Sequence, residues 1–287
     1  MDLLAVLSRK SCSSFTDVEA GTVKVSVFLS RRKRPGGLLK RRILTGLWTI
    51  KGWGLNVGAG VVSCRRVRPQ DWAESWKRHF KPMEFGDALL VKPSWSKRRA
   101  KRGQAVVVLD PGLSFGTGQH PTTAFCLEQL VRFGPAGTER RSSFLDIGTG
   151  SGILAIAAAK LGFGPIVAFD FDPEAVRVAK ENARANAVTD RIHFFRGDVL
   201  KAQFVKTSRK YWLICANLTA DLLLHARDRI GAKLDPDGVL VLAGILKTEF
   251  RNVQIAYEAT LRLVATRAVG EWRSGAFVRK SSFVTFK

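Results

Sequence analysis

The sequence predicts a doubly wound α/β fold preceded by a small α+β module, and three observations support this. From residue 144 onward, short apolar runs alternate with segments of helical composition, which is typical of parallel β-α-β units. The first run, at 144–147, leads through closely spaced glycines into a helix-forming segment. Two final apolar runs, near 261–268 and 276–286, have no helix between them and predict an antiparallel edge to the sheet.

Residues 1–70 are interpreted as the small basic α+β module. Residues 22–29 alternate between apolar and polar side chains, the pattern of a half-exposed strand. Residues 31–42 have the composition of a basic loop, and the apolar runs at 44–50 and 57–67 predict two more strands.

Residues 71–104 predict a connecting helix and a basic linker. The helix would begin at Asp71, a capping residue, and its aromatic side chains recur every four residues along one face, at Trp72, Trp76 and Phe80. Strands are expected at 85–91 and 104–109, with a basic loop between them. The α/β domain itself is expected over residues 105–287.

The glycines after the first strand of this domain carry the clearest chemical signal. Residues 146–152 read Asp-x-Gly-x-Gly-x-Gly, and glycine lets a ligand lie directly against the backbone. Asp170 ends the next apolar run, 22 residues after Gly148, about the spacing at which an acidic residue holds the ribose of an adenosine cofactor. We therefore expect Asp146, Gly148, Gly150 and Asp170 to line a cofactor site, with an ordinary glycine-rich turn as the alternative.

Two further polar residues follow predicted strands. Because the carboxyl ends of parallel strands meet along one crevice, Asp198 and Asn217 are expected to lie near the glycines. Asp198 suits a donor on an adenine ring, although it could also cap the next segment. Asn217 offers an amide oxygen and an amide N–H, so it can orient an amine nucleophile; an Asx-turn at a helix start is the alternative.

The segment 110–123 is rich in turn-forming residues and leads into a predicted helix that ends near residue 133. Pro121 suits the first turn of that helix, where the free backbone N–H groups together with Thr122 and Thr123 can meet a polar ligand. A ligand-binding loop and a capped surface turn are equally compatible with these residues.

The charge is concentrated in the first third of the chain. The 47 Lys and Arg against 24 Asp and Glu give a net charge of +23. Residues 1–102 hold 23 of these basic and 7 of these acidic residues, a net +16, which leaves +7 for the remainder. Such a field favours acidic partners, above all nucleic acid or a substrate assembled with RNA; a solvated basic surface is the alternative.

Other function classes find little support. No Cys-x-x-Cys pair and no closely spaced pair of histidines is present, so no metal site is expected. No apolar run approaches the ~20 residues of a membrane span. The first seven residues are too short for a secretory signal, so a cytoplasmic protein is expected, with an organelle transit segment as the alternative.

The Asp-x-Gly-x-Gly-x-Gly pattern resembles motif I of the class I S-adenosylmethionine-dependent methyltransferases, whose sheet is Rossmann-like. Longer motifs resemble the PrmA-type methyltransferases of ribosomal protein L11 more specifically. They are Asp-Trp-Ala-Glu-Ser-Trp at 71–76, Phe-Gly-Thr-Gly-Gln-His-Pro-Thr-Thr at 115–123, Phe-Asp-Phe-Asp-Pro at 169–173, Ala-Asn-Leu at 216–218 and Glu-Trp at 271–272. This resemblance runs from about residue 71 to the C-terminus.

The resemblance implies that Thr123, Gly148, Asp170 and Asn217 contact S-adenosylmethionine and that Asn217 also lies close to the incoming amine. It further implies methylation of lysine side chains, and of an N-terminal α-amine, on ribosomal protein L11, free or in the ribosome. An N-terminal recognition domain would hold that substrate. Two departures stand out: Thr149 replaces the family's usual cysteine, and residues 1–70 are shorter and more basic than the family's recognition domain.

Three alternative functions follow from the same residues. A related lysine methyltransferase, which acts on an electron-transfer flavoprotein, shares the catalytic motifs without the recognition domain. An RNA methyltransferase would suit the basic charge, but the chain lacks the Asn-Pro-Pro-Tyr and Pro-Cys motifs of two such classes. A non-catalytic ribosome-binding protein on the same fold is the third.

Overall fold

The computed structural model divides the chain into two compact units, residues 1–74 and 75–287. The structure describes these residues: 12–17, 22–27, 37–52, 57–58, 60–63, 80–110, 120–135, 142–201, 205 and 208–281. The predicted helix at 71–80 and the loop at 111–119 therefore lie almost wholly outside the described residues.

The first unit contains a hairpin and a helix. Strand β1 (Cys12–Asp17) pairs antiparallel with β2 (Thr22–Val27), and helix α1 spans Gly37–Gly52. The predicted strand at 44–50 is wrong, since these residues lie within α1. The half-buried apolar residues of this helix recur at helical spacing, which a short apolar run does not distinguish from a strand: Ile43, Leu44, Leu47 and Ile50.

A small sheet opens the described part of the second unit. Strand β3 (Met83–Phe85) forms an antiparallel hairpin with β4 (Leu89–Lys92), which pairs in parallel with β5 (Ala105–Val108). The strand predicted at 85–91 is therefore broken by a turn, where Gly86 adopts a φ of 56°. The division at 1–70, 71–104 and 105–287 stays a prediction.

The large sheet confirms the doubly wound α/β fold. Within the described residues it has seven strands in the order β11-β12-β10-β9-β6-β7-β8, and all run in the same direction except β12, which is antiparallel to both of its neighbours, β10 and β11. The strands are β6 (Phe144–Ile147), β7 (Ile166–Asp170), β8 (Ile192–Arg196), β9 (Tyr211–Asn217), β10 (Leu234–Leu246), β11 (Leu261–Val269) and β12 (Trp272–Arg279).

Helices cover both faces of this sheet, with one apolar core on each side. On one side lie α2 (Pro121–Arg132), α3 (Ile153–Lys160) and α4 (Pro173–Ala185); on the other lie α5 (Ala220–His225), α6 (Arg227–Lys233) and α7 (Lys247–Glu258). Helix α4 begins with a side-chain cap: the Asp172 carboxylate accepts the Glu174 N–H at 2.9 Å, and Pro173 takes the first position.

The order of the strands in the large sheet determines where a ligand site is expected. Strand β6 lies between β7 and β9, and the chain leaves β6 toward β7 and β8 on one side before it returns to β9 and β10 on the other. The crevice at such a switch point, outside the carboxyl ends of the strands, is where open α/β sheets bind ligands. Residues 148–152, 170 and 217 all lie at these ends.

Candidate active site

The glycine turn at 148–152 needs glycine for conformation and for space. Gly148, Gly150 and Gly152 adopt φ values of 75°, 53° and 81°, in the left-handed region. A Cβ on Gly148 would lie 2.5 Å from Leu218 Cδ2, and one on Gly152 would lie 3.0 Å from a side-chain atom of helix α4. The turn is therefore packed between the end of β9 and helix α4, with its backbone at the mouth of the crevice.

Asp170 is tied to this turn. Its Oδ2 accepts the Gly150 N–H at 3.0 Å, and its Oδ1 accepts the Asp172 N–H at 3.1 Å. A carboxylate has about four lone-pair sites, and this side chain is half-buried, so it can still accept two hydroxyl groups of a ligand. The next residue, Phe171, is 71% exposed, an unusual position for a large aromatic ring.

Asp146 lies beneath the turn and is fully buried. Its Oδ2 accepts the Thr149 hydroxyl at 2.7 Å, while Oδ1 has no hydrogen-bond partner of normal length among the described residues. Burial raises the pKa of Asp146 to about 7; the Thr149 hydroxyl and the nearby Ala155 N–H oppose this rise, and the Asp170 charge adds to it. Asp146 thus supports the turn from below, and contact with a cofactor stays a prediction.

The raised pKa of Asp146 makes stability depend on pH. The unfolded chain loses this proton near pH 3.8, whereas the folded protein holds it up to about pH 7. Stability from Asp146 is therefore greatest below the unfolded pKa and declines as the pH rises to about 7. Urea unfolding measures the free energy of unfolding of the wild type and of Asp146→Asn. The value for the wild type minus that for the variant should decrease between these two pH values and stay constant above them. Asp237→Asn, at an exposed site, is the control, and a pH-independent difference would contradict the assignment.

Asn217 and Thr123 meet across the crevice. Asn217 Nδ2 lies 3.5 Å from Thr123 Oγ1, to which it donates, although the two residues are 94 positions apart. Asn217 Oδ1 is buried and has no hydrogen-bond partner among the described residues. The Asx-turn alternative is therefore not what this geometry shows. Gly244 leaves room here: a Cβ on it would lie 2.9 Å from this oxygen.

The start of α2 also meets strand β12. His120 Nδ1 lies 2.7 Å from Thr122 Oγ1, and the imidazole packs edge-on against Trp272, with ring centroids 4.9 Å apart. Partial burial lowers the pKa of His120, an effect that the Glu271 carboxylate partly offsets. The ring contact thus links the start of α2 to strand β12.

Asp198 has a local role in the structure. Its Oδ1 accepts the Leu200 N–H at 2.9 Å, which caps the turn after β8. The Gly197 N–H donates to the Asp170 carbonyl at 2.9 Å, so Asp198 also lies beside the end of β7. Both sequence-based interpretations, a cap and a ligand contact, are compatible with this position.

Four residues of the site had no role predicted from sequence, although they lie in the motifs given above: His120, Phe171, Leu218 and Trp272. For Phe171 the available signal was a bulky aromatic between two aspartates just after a strand. No local signal pairs His120 with Trp272, since their contact depends on the position of the antiparallel edge.

Two negative findings concern the described part of the chain. None of its helices has both the length and the apolar character needed to cross a bilayer. No cluster of three or more His, Cys, Asp and Glu side chains suitable for a metal ion occurs there either.

Comparison with known proteins agrees with this geometry. The family model for ribosomal protein L11 methyltransferase (PrmA) matches residues 41–280, and so begins well before residue 71. A ribosomal protein L11 methyltransferase of Alkaliphilus oremlandii is 37% identical over 231 residues, which cover 80% of this chain and 71% of that protein. A ribosomal protein L11 methyltransferase of Trichlorobacter lovleyi is 44% identical over 207 residues, which cover 71% of this chain and 66% of that protein.

The solved structures agree as well. The crystal structure of a ribosomal protein L11 methylase from Lactobacillus delbrueckii subsp. bulgaricus superposes with a TM-score of 0.60 at 30% identity. The match covers 70% of this chain and all of that one. The glycine turn, the strand order and these matches together show that this chain belongs to the ribosomal protein L11 methyltransferase (PrmA) family.

Proposed function

We propose that the chain transfers methyl groups from S-adenosylmethionine to amino groups of ribosomal protein L11, on lysine side chains and on the N-terminal α-amine. One observation carries the proposal: the buried Oδ1 of Asn217, which has no hydrogen-bond partner among the described residues, lies at the switch-point crevice, beside Thr123. A buried acceptor without a partner is costly unless a ligand satisfies it, and an amine N–H would do so.

The residues around the crevice fit the cofactor. Asp170 keeps lone pairs for the ribose hydroxyls, and Gly150 beside it has no side chain to cover the backbone. The exposed ring of Phe171 offers an apolar face for the adenine, with Asp198 next to the same strand end. Thr123, near the N-terminus of α2, can reach the methionine part, where free backbone N–H groups favour a carboxylate.

Positioning is the main task left to the protein. When bound, the cofactor supplies an electrophilic methyl group on a sulfonium that is already a good leaving group. Asn217 would accept an N–H of the incoming amine and so direct the nitrogen lone pair along the line of transfer. The amine must first lose its ammonium proton, and burial away from water would favour this loss by lowering its pKa. A dedicated general base is therefore not required.

Incubation of the protein with labelled S-adenosylmethionine and purified L11, followed by mass mapping of the product, tests this function. Label on lysines or on the N-terminus of L11 is expected. An electron-transfer flavoprotein and ribosomal RNA, offered in parallel, represent the alternative substrates, which the family match does not favour. Absence of transfer to L11 together with transfer to either of these would overturn the substrate assignment, and cofactor binding without any transfer would favour the non-catalytic alternative.

We extend the proposal to a contact between α1 and ribosomal RNA, in keeping with a cytoplasmic enzyme that meets L11 in ribosomal particles. Helix α1 contains no acidic residue, and all four of its basic side chains are exposed: Lys40, Arg41, Arg42 and Lys51. Trp48, in the same helix, is 75% exposed. Basic groups that pair with phosphates around an aromatic ring that can stack on a base are typical of RNA-binding surfaces.

Replacing Arg41 and Arg42 with glutamine should weaken binding to a ribosomal RNA fragment and reduce the salt dependence of that binding, because fewer counterions are released. Trp48→Ala should weaken binding further with little change in salt dependence. Fluorescence anisotropy at several salt concentrations measures both effects. Arg184→Gln with Arg251→Gln, two exposed sites on the other unit, is the matched control. An equal loss of RNA affinity in the two double arginine variants would show that net charge, rather than α1, causes the effect.

A further inference from the structure

Two asparagines at the C-terminal end of α4, Asn182 within the helix and Asn186 directly after it, have side chains that reach other parts of the fold. Asn186, 4% exposed, accepts the Val108 N–H through Oδ1 at 2.8 Å and donates through Nδ2 to the Val108 carbonyl at 2.7 Å. Strand β5 is the edge of the small sheet, so at Val108 the side-chain amide takes the place of a neighbouring strand. This pairing ties β5 to the end of α4.

Asn182 lies one helical turn earlier and reaches the glycine turn. Its side-chain Nδ2 donates to the Ser151 backbone carbonyl at 2.8 Å, and its backbone carbonyl accepts Asn186 Nδ2 at 2.8 Å. A continuous chain of hydrogen bonds therefore runs from β5 through both asparagines to Ser151, which stands between Gly150 and Gly152.

Close packing makes this chain possible. Ala179 and Ala183 form the buried face of α4 next to the asparagines, and the space above Ala179 is so narrow that a Cβ on Gly152 would lie 3.0 Å from its Cβ. The helix thus approaches the turn closely enough for a short amide side chain to span the gap. A shift of Ser151 would also move Gly150, whose N–H holds the Asp170 carboxylate.

We propose that Asn182 and Asn186 are positioning residues for the cofactor site. They connect α4 to the glycine turn on one side and to β5 on the other, and so hold the turn at a set distance from β5. This inference rests on the proposed function, because it assigns the turn to cofactor binding. Neither side chain is assigned a contact with cofactor or substrate. Their effect passes through Ser151 to Gly150, and from Gly150 to the carboxylate that would hold the ribose.

Calorimetric titration of S-adenosylmethionine into Asn182→Ala, Asn186→Ala and the double variant tests the proposal. We expect each single change to raise Kd about 5- to 20-fold, with the single-turnover rate at saturating cofactor within about 3-fold of wild type. The double variant should raise Kd by less than the product of the two single fold increases, since both side chains act in one chain of hydrogen bonds.

Two control variants separate positioning from loss of stability. Asn252→Ala removes an exposed asparagine of α7 and should leave Kd unchanged, while Val253→Ala destabilises the opposite core without touching α4. Equal increases of Kd in Val253→Ala and Asn182→Ala would overturn the proposal, as would an unchanged Kd in both folded asparagine variants.

Hydrogen exchange supplies a readout that needs no ligand. The Gly152 N–H, which donates to the Thr149 carbonyl at 2.8 Å, should exchange faster in Asn182→Ala than in wild type or Val253→Ala. Unchanged exchange would refute the coupling itself. Cofactor binding and methylation by the wild-type protein test the proposed function, whereas the differences between variants test the positioning, so the two can fail separately.

Discussion

Replacing Asn217 with alanine should lower the single-turnover methylation rate by about 100-fold, while cofactor affinity falls by about 10-fold or less. The expected loss is large because the Asn217 oxygen is the buried acceptor that would orient the amine. Without it the amine can rotate, and a displacement of ~1 Å from the line of transfer costs about this much in rate.

Thr123→Ala is the informative comparison, because this residue faces Asn217 but is assigned to the cofactor. It should weaken cofactor binding more than it slows transfer. Rapid-quench measurements at saturating cofactor, combined with titration calorimetry, give both quantities for both variants. An Asn217→Ala protein that methylates L11 at the full rate would show that Asn217 is a structural residue at the end of β9.

Replacing Asp170 with alanine should weaken S-adenosylmethionine binding by about 10- to 100-fold, since buried hydrogen-bond partners left unpaired cost ~1–3 kcal/mol. Part of this loss is indirect, because the Gly150 and Asp172 N–H groups also lose their acceptor. Asp170→Asn separates the contributions: its amide oxygen can still accept one of these bonds but offers fewer lone pairs to a ribose.

Calorimetry on folded protein measures both Asp170 variants, with thermal unfolding recorded in parallel. Asp190→Asn, at an exposed position between α4 and β8, is the control for loss of one negative charge. Unchanged affinity in folded Asp170→Ala would place the ribose elsewhere in the crevice.

Local patterns predicted the elements that depend on local physics. The glycines at 148–152 and the aspartate that ends β7 were identified because a tight left-handed turn requires glycine and because apolar runs mark buried strands. Local patterns gave wrong predictions where a short apolar run is compatible with more than one kind of secondary structure. They predicted a strand at 44–50 within α1, and they missed the turn at Gly86 that divides 85–91 into a hairpin.

The fold class, the glycine turn and the strand ends at Asp170 and Asn217 could be predicted from local sequence, because each depends on residues close together in the chain. Which distant groups meet depends on the folded arrangement. Asn217 faces Thr123 across 94 residues, and Asn186 pairs with Val108 across 78. Strand order and helix packing bring these groups together. Burial then leaves the Asn217 oxygen without a hydrogen-bond partner in the part of the chain that the structure describes, and it raises the pKa of Asp146. No local pattern encodes such contacts, since they depend on how the whole core packs.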